Sequence, residues 1–243
     1  MTCKLFCIPY AGGSASEFLK WQPAVRDSVT IVPLDLAGKG SRKQEPSCST
    51  MEEAIEDAYQ TLTAQLDGRP YAIFGHSMGA ILAFEVSRRL RRQAAYPSPV
   101  HLFVAGRNPP HVPRRAEAPI LHELDDDAFM EEIARFGGVP DELLAHPKLL
   151  RLFVPQLRRE YEVSERYAFQ ADDTMLDCDM SVLYGTEDHS LPEIMSQWQR
   201  YTSGRMSMQA YEAGHFFIHE HGEQVASWIN AKLLGITVAR SVV

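Results

Sequence analysis

Apolar residues fall into short runs of strand length, each followed by a polar or glycine-bearing break. Leu5 to Pro9 is the first run and Val29 to Leu34 the second. Tyr71 to Phe74, Val100 to Ala105, Asp179 to Gly185 and Met206 to Tyr211 follow. Continuous apolar runs of this length suit strands covered on both faces, as in a parallel sheet. Helical patterns separate them. Ser49-Thr50-Met51-Glu52-Glu53 has a capping-box layout, with Glu53 three after Thr50, and the helix should continue to about Leu66 before Asp67-Gly68-Arg69-Pro70. A second helix should leave Ser77 and reach Arg88-Arg89-Leu90-Arg91-Arg92, and a last one should run from about Gly222 to Leu234. Alternation of this kind predicts an α/β fold, a mostly parallel central sheet flanked by helices, in one domain over residues 1–243.

From about residue 110 to 177 the alternation stops. Asp125-Asp126-Asp127 can cap a helix through Phe136 that Gly137-Gly138 ends. Pro140 suits the start of a short helix with Leu143 and Leu144, and Pro147 the start of another. Pro155 is expected to kink or split that helix ahead of Gln156 to Phe169. Leu149, Leu152, Phe153 and Leu157 form an apolar stripe. The segment reads as a helical lid inserted over the active end of the sheet.

Chemistry enters at Gly75-His76-Ser77-Met78-Gly79, between a strand and a helix. This is a nucleophile-elbow arrangement: the tight turn projects the Ser77 hydroxyl and aims the Met78 amide at the same spot. The pentapeptide alone would recur by chance in roughly one chain in ten of this length; an inert serine in a glycine-bounded turn is the alternative. Tyr10-Ala11-Gly12-Gly13-Ser14 after the first strand reads as an oxyanion loop, with the amide near Ala11 facing the serine. A serine hydroxyl needs a base, and the base needs an orienting carboxylate. The chain order serine, acid, histidine selects Ser77, Asp188 and His215, each at the carboxyl end of a strand. Asp177, Asp179 and Glu187 compete for the acid; His76, His189, His219 and His221 are read as bystanders. His215, His219 and His221 invite a metal reading, but no carboxylate or cysteine set completes it, so no metal and no organic cofactor is expected.

Composition narrows the class. A formal net charge of -8 over 243 residues argues against general nucleic-acid binding. No apolar run approaches the ~20 residues of a membrane span, and the N-terminus lacks a signal-peptide layout. Cys3, Cys7, Cys48 and Cys178 have neither zinc nor disulfide spacing. A cytoplasmic protein, acting as a monomer away from membranes, is expected.

With these residues placed, the chain resembles the type II thioesterases of polyketide and non-ribosomal peptide biosynthesis. The resemblance rests on Ile8-Pro9-Tyr10-Ala11-Gly12-Gly13-Ser14, Gly75-His76-Ser77-Met78-Gly79-Ala80, Arg107-Asn108-Pro109-Pro110, Gly137-Gly138-Val139-Pro140 and Gly214-His215-Phe216-Phe217. Leu36-Ala37-Gly38-Lys39-Gly40 departs from it, since the family tends to show Pro before the first glycine and Arg or His between the glycines. The resemblance implies an α/β-hydrolase fold with a flexible lid. It implies hydrolysis of acyl thioesters on the phosphopantetheine arm of acyl or peptidyl carrier proteins, and an oxyanion hole from the Ala11 and Met78 amides. Carrier domains are commonly acidic, so a local cationic patch is needed for docking. Arg114, Arg115, Arg158 and Arg159 are preferred over the Arg88 to Arg92 cluster because they flank or sit within the insertion. A general serine carboxylesterase or acyl-CoA thioesterase, and a non-catalytic binding protein on the same fold, remain as alternatives.

Overall fold

Six strands form one sheet in the order β2-β1-β3-β4-β5-β6. They are β1 (Cys3–Ile8), β2 (Val29–Pro33), β3 (Tyr71–His76), β4 (His101–Ala105), β5 (Asp179–Gly185) and β6 (Met206–Tyr211). All neighbouring pairs are parallel, with Phe6 opposite Ile73, His76 opposite Ala105 and Gly185 opposite Tyr211. The computed structural model describes residues 2–25, 27–93, 95–138, 146–188 and 191–239.

Side chains alternate between two apolar layers. Phe6, Ile73, Leu102, Val104, Met180 and Val182 face α1 (Met51–Thr63) and α2 (Met78–Gln93). Leu5, Cys7, Ala72, Phe74, Phe103 and Leu183 face a 3-10 helix, Ala15–Ala24, and the closing helix. Burial on both faces explains why β3 and β4 are apolar without alternation. The sheet is the expected one, of α/β-hydrolase type, with strand limits within two residues of the sequence reading.

The start of α1 differs in detail. Thr50 accepts from the Glu53 N–H at 3.1 Å, while the Glu53 carboxylate takes the Ser49 N–H at 2.7 Å, one residue before the position a capping box uses.

Between β4 and β5 lie α3 (Asp126–Phe136) and α4 (Pro147–Glu165). Asp125 caps α3 by accepting from Asp127 N and Ala128 N, and Gly137 ends it at φ 81°. The expected Pro140 helix, with Leu143 and Leu144, lies outside the described residues. Pro155 does not split α4, which is continuous and ends at Glu165 rather than Phe169. One proline removes a single N–H, and Pro155 sits on the exposed side, while the opposite side is held by packing. The expected apolar stripe is also out of phase. Leu149, Leu152 and Phe153 are 46%, 74% and 49% exposed, whereas Leu150 and Val154 are 7% and 2% exposed. The inward face is Leu150, Val154, Leu157 and Tyr161, packed on Leu121, Phe129 and Ile133. Apolar residues on α4 outnumber those one stripe can hold, and the α3 partners select the stripe.

The closing helix α5 runs Gly222–Ala239. Among the described residues no helix is long and apolar enough to cross a membrane.

Candidate active site

β3 delivers the chain to Ser77, the one described non-glycine residue with positive φ, at 55°. Such a backbone costs on the order of 1–3 kcal/mol and persists only where its surroundings impose it. They do. A Cβ at Gly75 would lie 2.0 Å from the Gly79 carbonyl oxygen, and one at Gly79 would lie 2.2 Å from that of Ile8. Ser77 N–H donates to Ala105 O at 2.8 Å, fastening the turn to β4. Met78 opens α2, so its N–H precedes the intrahelical ladder and points outward beside the hydroxyl.

Two further strand ends supply the acid and the base. Asp188 follows β5 and His215 follows β6. His215 Nδ1 donates to Asp188 Oδ2 at 2.7 Å, with both side chains largely buried. This fixes the tautomer and leaves Nε2 as the acceptor. Glu187 N–H donates to Ala213 O at 3.1 Å, and a Cβ at Gly185 would lie 2.2 Å from Gly214 O, so the two loops touch. The Glu187 side chain is exposed, and Asp179 sits at the other end of β5, where it accepts from Arg205 N–H at 2.9 Å. Ser77, Asp188 and His215 line one cavity of about 570 Å³, together with Tyr10 and Ala11.

The loop after β1 is braced from outside. Gly12, at φ 87°, donates its N–H to Glu160 Oε2 of α4 at 2.6 Å. Lys39 Nζ reaches the same oxygen at 2.6 Å and Tyr10 O at 3.4 Å. Both side chains are largely buried. Leu157 Cδ1 would lie 2.6 Å from a Cβ at Gly12. The N–H of Ala11 has no hydrogen-bond partner among the described residues. Lys39 is the departing residue of Gly38-Lys39-Gly40. Its loop is held by Asp35, which accepts from Ala15 N, Ser41 N and Ser41 Oγ, and by Arg42, which pairs with Asp57 and Glu45.

His76 is fully buried behind the base. Its Nε2–H donates to His215 O at 2.9 Å, and burial holds its pKa well below the ordinary value. It therefore stays neutral and positions the His215 loop rather than standing by. Tyr10 packs edge-on against His76 and Phe216 and hydrogen-bonds Glu17 and His219. Lys39, Glu160 and His76 were not singled out as site residues. The Gly-Lys-Gly departure pointed at the first and adjacency to Ser77 at the third; nothing in the sequence tied Glu160 to Gly12.

Among the other candidates, His221 contacts Gln224, His189 lies outside the described residues, and the Arg88 to Arg92 cluster is consumed by Glu85, Glu56, Asp172 and Asp177. Arg158 is tied into the insertion by His122 O, Leu124 O, Asp126 and the Phe129 ring. Arg114 contacts Pro119 O and Glu165. Arg115 and Arg159 are exposed, without an ion pair among the described residues. Among the described residues no group of three or more His, Cys, Asp or Glu is placed to hold a metal.

A profile of the thioesterase domain family matches residues 3–233. Thioesterase PikA5 of Streptomyces venezuelae is 34% identical over 95% of this chain and 81% of its own. Linear gramicidin dehydrogenase LgrE of Brevibacillus parabrevis is 33% identical over 94% of this chain and 87% of its own. The crystal structure of ClbQ from the colibactin NRPS/PKS pathway superposes with a TM-score of 0.91 at 35% identity, covering 98% of this chain and all of that one.

Proposed function

The chain belongs to the thioesterase domain family, and from that membership we propose that it hydrolyses acyl thioesters carried on the phosphopantetheine arm of carrier proteins, as a type II thioesterase of polyketide or non-ribosomal peptide assembly. The observation that carries the reading is the convergence of a strained Ser77 and the Asp188–His215 pair on one cavity.

The steps follow from the atoms. His215 Nε2 takes the Ser77 proton as Oγ attacks the thioester carbonyl. The oxyanion is received by the Ala11 and Met78 amides. The C–S bond breaks, and the sulfur leaves with the proton from His215. Water then gives a proton to His215, attacks the acyl-enzyme and releases the acid and Ser77. Asp188 keeps the imidazole oriented in both halves. The insertion between β4 and β5 acts as a lid whose helices wall the acyl chamber. The role is to clear stalled or wrongly primed carriers or to release intermediates.

A general esterase would share this machinery and be indifferent to the carrier. The dehydrogenase role in the name of one relative does not suit this chain. Its β1 loop reads Tyr10-Ala11-Gly12-Gly13-Ser14, without the Gly-x-Gly-x-x-Gly spacing that brings a dinucleotide pyrophosphate to a helix. The test is a fluorophosphonate label on Ser77, combined with turnover of matched acyl-carrier, acyl-CoA and oxygen-ester substrates. Labelling should be lost in Ser77→Ala, and the carrier thioester should be turned over fastest. Equal kcat/KM for all three substrates would reject the carrier reading.

A further inference from the structure

The chain beyond β4 reads Gly106-Arg107-Asn108-Pro109-Pro110, and no step above uses it. Gly106, at φ 60°, passes beneath the two histidines: a Cβ there would lie 2.8 Å from His76 Nε2 and 3.4 Å from His215 Cε1. Arg107 comes next and lines the cavity with Ser77 and His215. Trp198 Nε1 donates to its carbonyl at 2.9 Å and fixes the backbone. Its guanidinium makes no hydrogen bond or ion pair with any described residue.

The groups that face it are Tyr167, Arg114 and Glu165, all on the same cavity wall. Glu165 is already engaged. It accepts from Leu121 N at 2.9 Å and His122 N at 3.0 Å, meets His122 Nδ1 at 2.7 Å, and has Arg114 at 3.3 Å. Tyr167 donates its hydroxyl to Glu85. Of the three other carboxylates on the wall, Glu132 is taken by Arg135 and Asp188 by His215, while Glu117 is exposed. Burial lowers the Arg107 pKa, but a guanidinium keeps its proton in proteins. Arg107 is half-buried on the cavity wall and its charged fork has donors that no described residue uses, so a ligand in the cavity can supply the acceptor. Elsewhere on the wall Ile81, Phe84, Phe136 and Trp198 give an apolar stretch that suits an alkyl chain.

We propose that Arg107 is a specificity subsite of the acyl chamber that takes acyl groups carrying a carboxylate beyond the thioester, in preference to alkyl-ended acyl groups. The proposal rests on the thioesterase reading and names the acyl class it selects. A carboxylate matches the planar fork with two parallel hydrogen bonds, which a lysine cannot reproduce. The phosphate of the pantetheine arm has the same acceptor chemistry, and the comparison of phosphorylated and unphosphorylated arms below separates the two sources.

The test uses the full chain and small N-acetylcysteamine thioesters, so that no carrier contact enters. Glutaryl and adipoyl half-thioesters are compared with pentanoyl and hexanoyl thioesters. The wild type should favour the carboxylate-ended member by about tenfold or more in kcat/KM. Arg107→Met should lower that ratio by about tenfold, and Arg107→Lys should fall between, with melting temperatures checking the fold. A wild-type ratio near one overturns the proposal whatever the variants do, as does an unchanged ratio in a folded Arg107→Met. Hexanoyl pantetheine against hexanoyl phosphopantetheine separates the two acceptor sources. If Arg107→Met slows only the phosphorylated compound, the subsite reads the arm and the acyl assignment fails. Absence of turnover on every thioester would instead defeat the functional reading on which the proposal stands.

Discussion

At Ser77 the backbone is held at φ 55° by contacts that no side chain could share, and Met78 opens a helix at the same point. In the proposed mechanism, reactivity there also depends on the 2.7 Å bond from His215 to Asp188, because a carboxamide would permit the wrong imidazole tautomer. Asp188→Asn should lower kcat by about a thousandfold or more, while Glu187→Gln, an exposed neighbour, should stay within about twofold. Steady-state kinetics on one thioester with both variants checks this; a larger loss in Glu187→Gln would reassign the acid. A second histidine titrates against the fold. His101 is buried, stacked on Phe103 and bonded to Ser181 Oγ at 2.9 Å, and burial lowers its pKa to about 4. Below its ordinary value of 6.5, the unfolded chain takes up a proton that the folded chain refuses until about pH 4. Its neutral form therefore supports stability fully above that ordinary value, and the support is lost as pH falls toward 4. Between about pH 7 and about pH 5 the wild type should lose about 2 kcal/mol more than His101→Gln, measured by urea unfolding. Parallel pH dependences would remove His101 as the cause.

At the scale of elements, α4 does more than line the cavity. Its Glu160 reaches the loop after β1 and, with Lys39 from the loop after β2, holds the Gly12 N–H and the Tyr10 carbonyl. The loop expected to receive the oxyanion is thus shaped by a helix more than a hundred residues downstream. Removing one member of a largely buried pair strands the other charge, at a cost of about 3–5 kcal/mol. Glu160→Gln should therefore lower both the melting temperature and kcat, the latter by about tenfold, with a smaller change in KM. Glu160→Leu combined with Lys39→Met removes both charges and should recover much of the stability. It should leave kcat low, because the Gly12 N–H still lacks its acceptor. Recovery of kcat in the double variant would mean the pair serves stability alone. The other basic element behaves differently. The end of α2, with Arg88, Arg89, Arg91 and Arg92, is neutralised by acidic neighbours and offers no free patch among the described residues.

For the whole molecule, a net charge of -8 means that attraction of an acidic carrier must be local. Of the four arginines expected to serve docking, Arg158 is consumed inside the insertion and Arg114 is engaged by Glu165 and Pro119. Arg115 and Arg159 remain exposed. Reversing both to Glu should lower kcat/KM for an acyl-carrier substrate and flatten its salt dependence, each charge being worth about 1 kcal/mol or less. A small neutral thioester should change by less than about twofold. If both substrates slow alike at every salt concentration, these side chains serve the fold or the chemistry instead of docking.

Short apolar runs, the Gly75-to-Gly79 turn and the serine–acid–histidine order were legible in the sequence because each is a local property. Strand length, turn sterics and the position of a residue just past a strand do not depend on distant partners. Asp188 could be preferred over Glu187 by order, but its 2.7 Å approach to His215 depends on the β5 and β6 loops touching at Gly185 and Gly214. The inward face of α4 could not be read, since several apolar stripes compete on that helix and Phe129 and Ile133 on α3 decide between them. Lys39 with Glu160, His76 with the His215 carbonyl, and an Arg107 fork that no described residue pairs with are relations between residues far apart in the chain. Pattern along a chain specifies which elements form and where their reactive ends lie. Which charges meet, and which is left facing a cavity, is decided only when those elements pack.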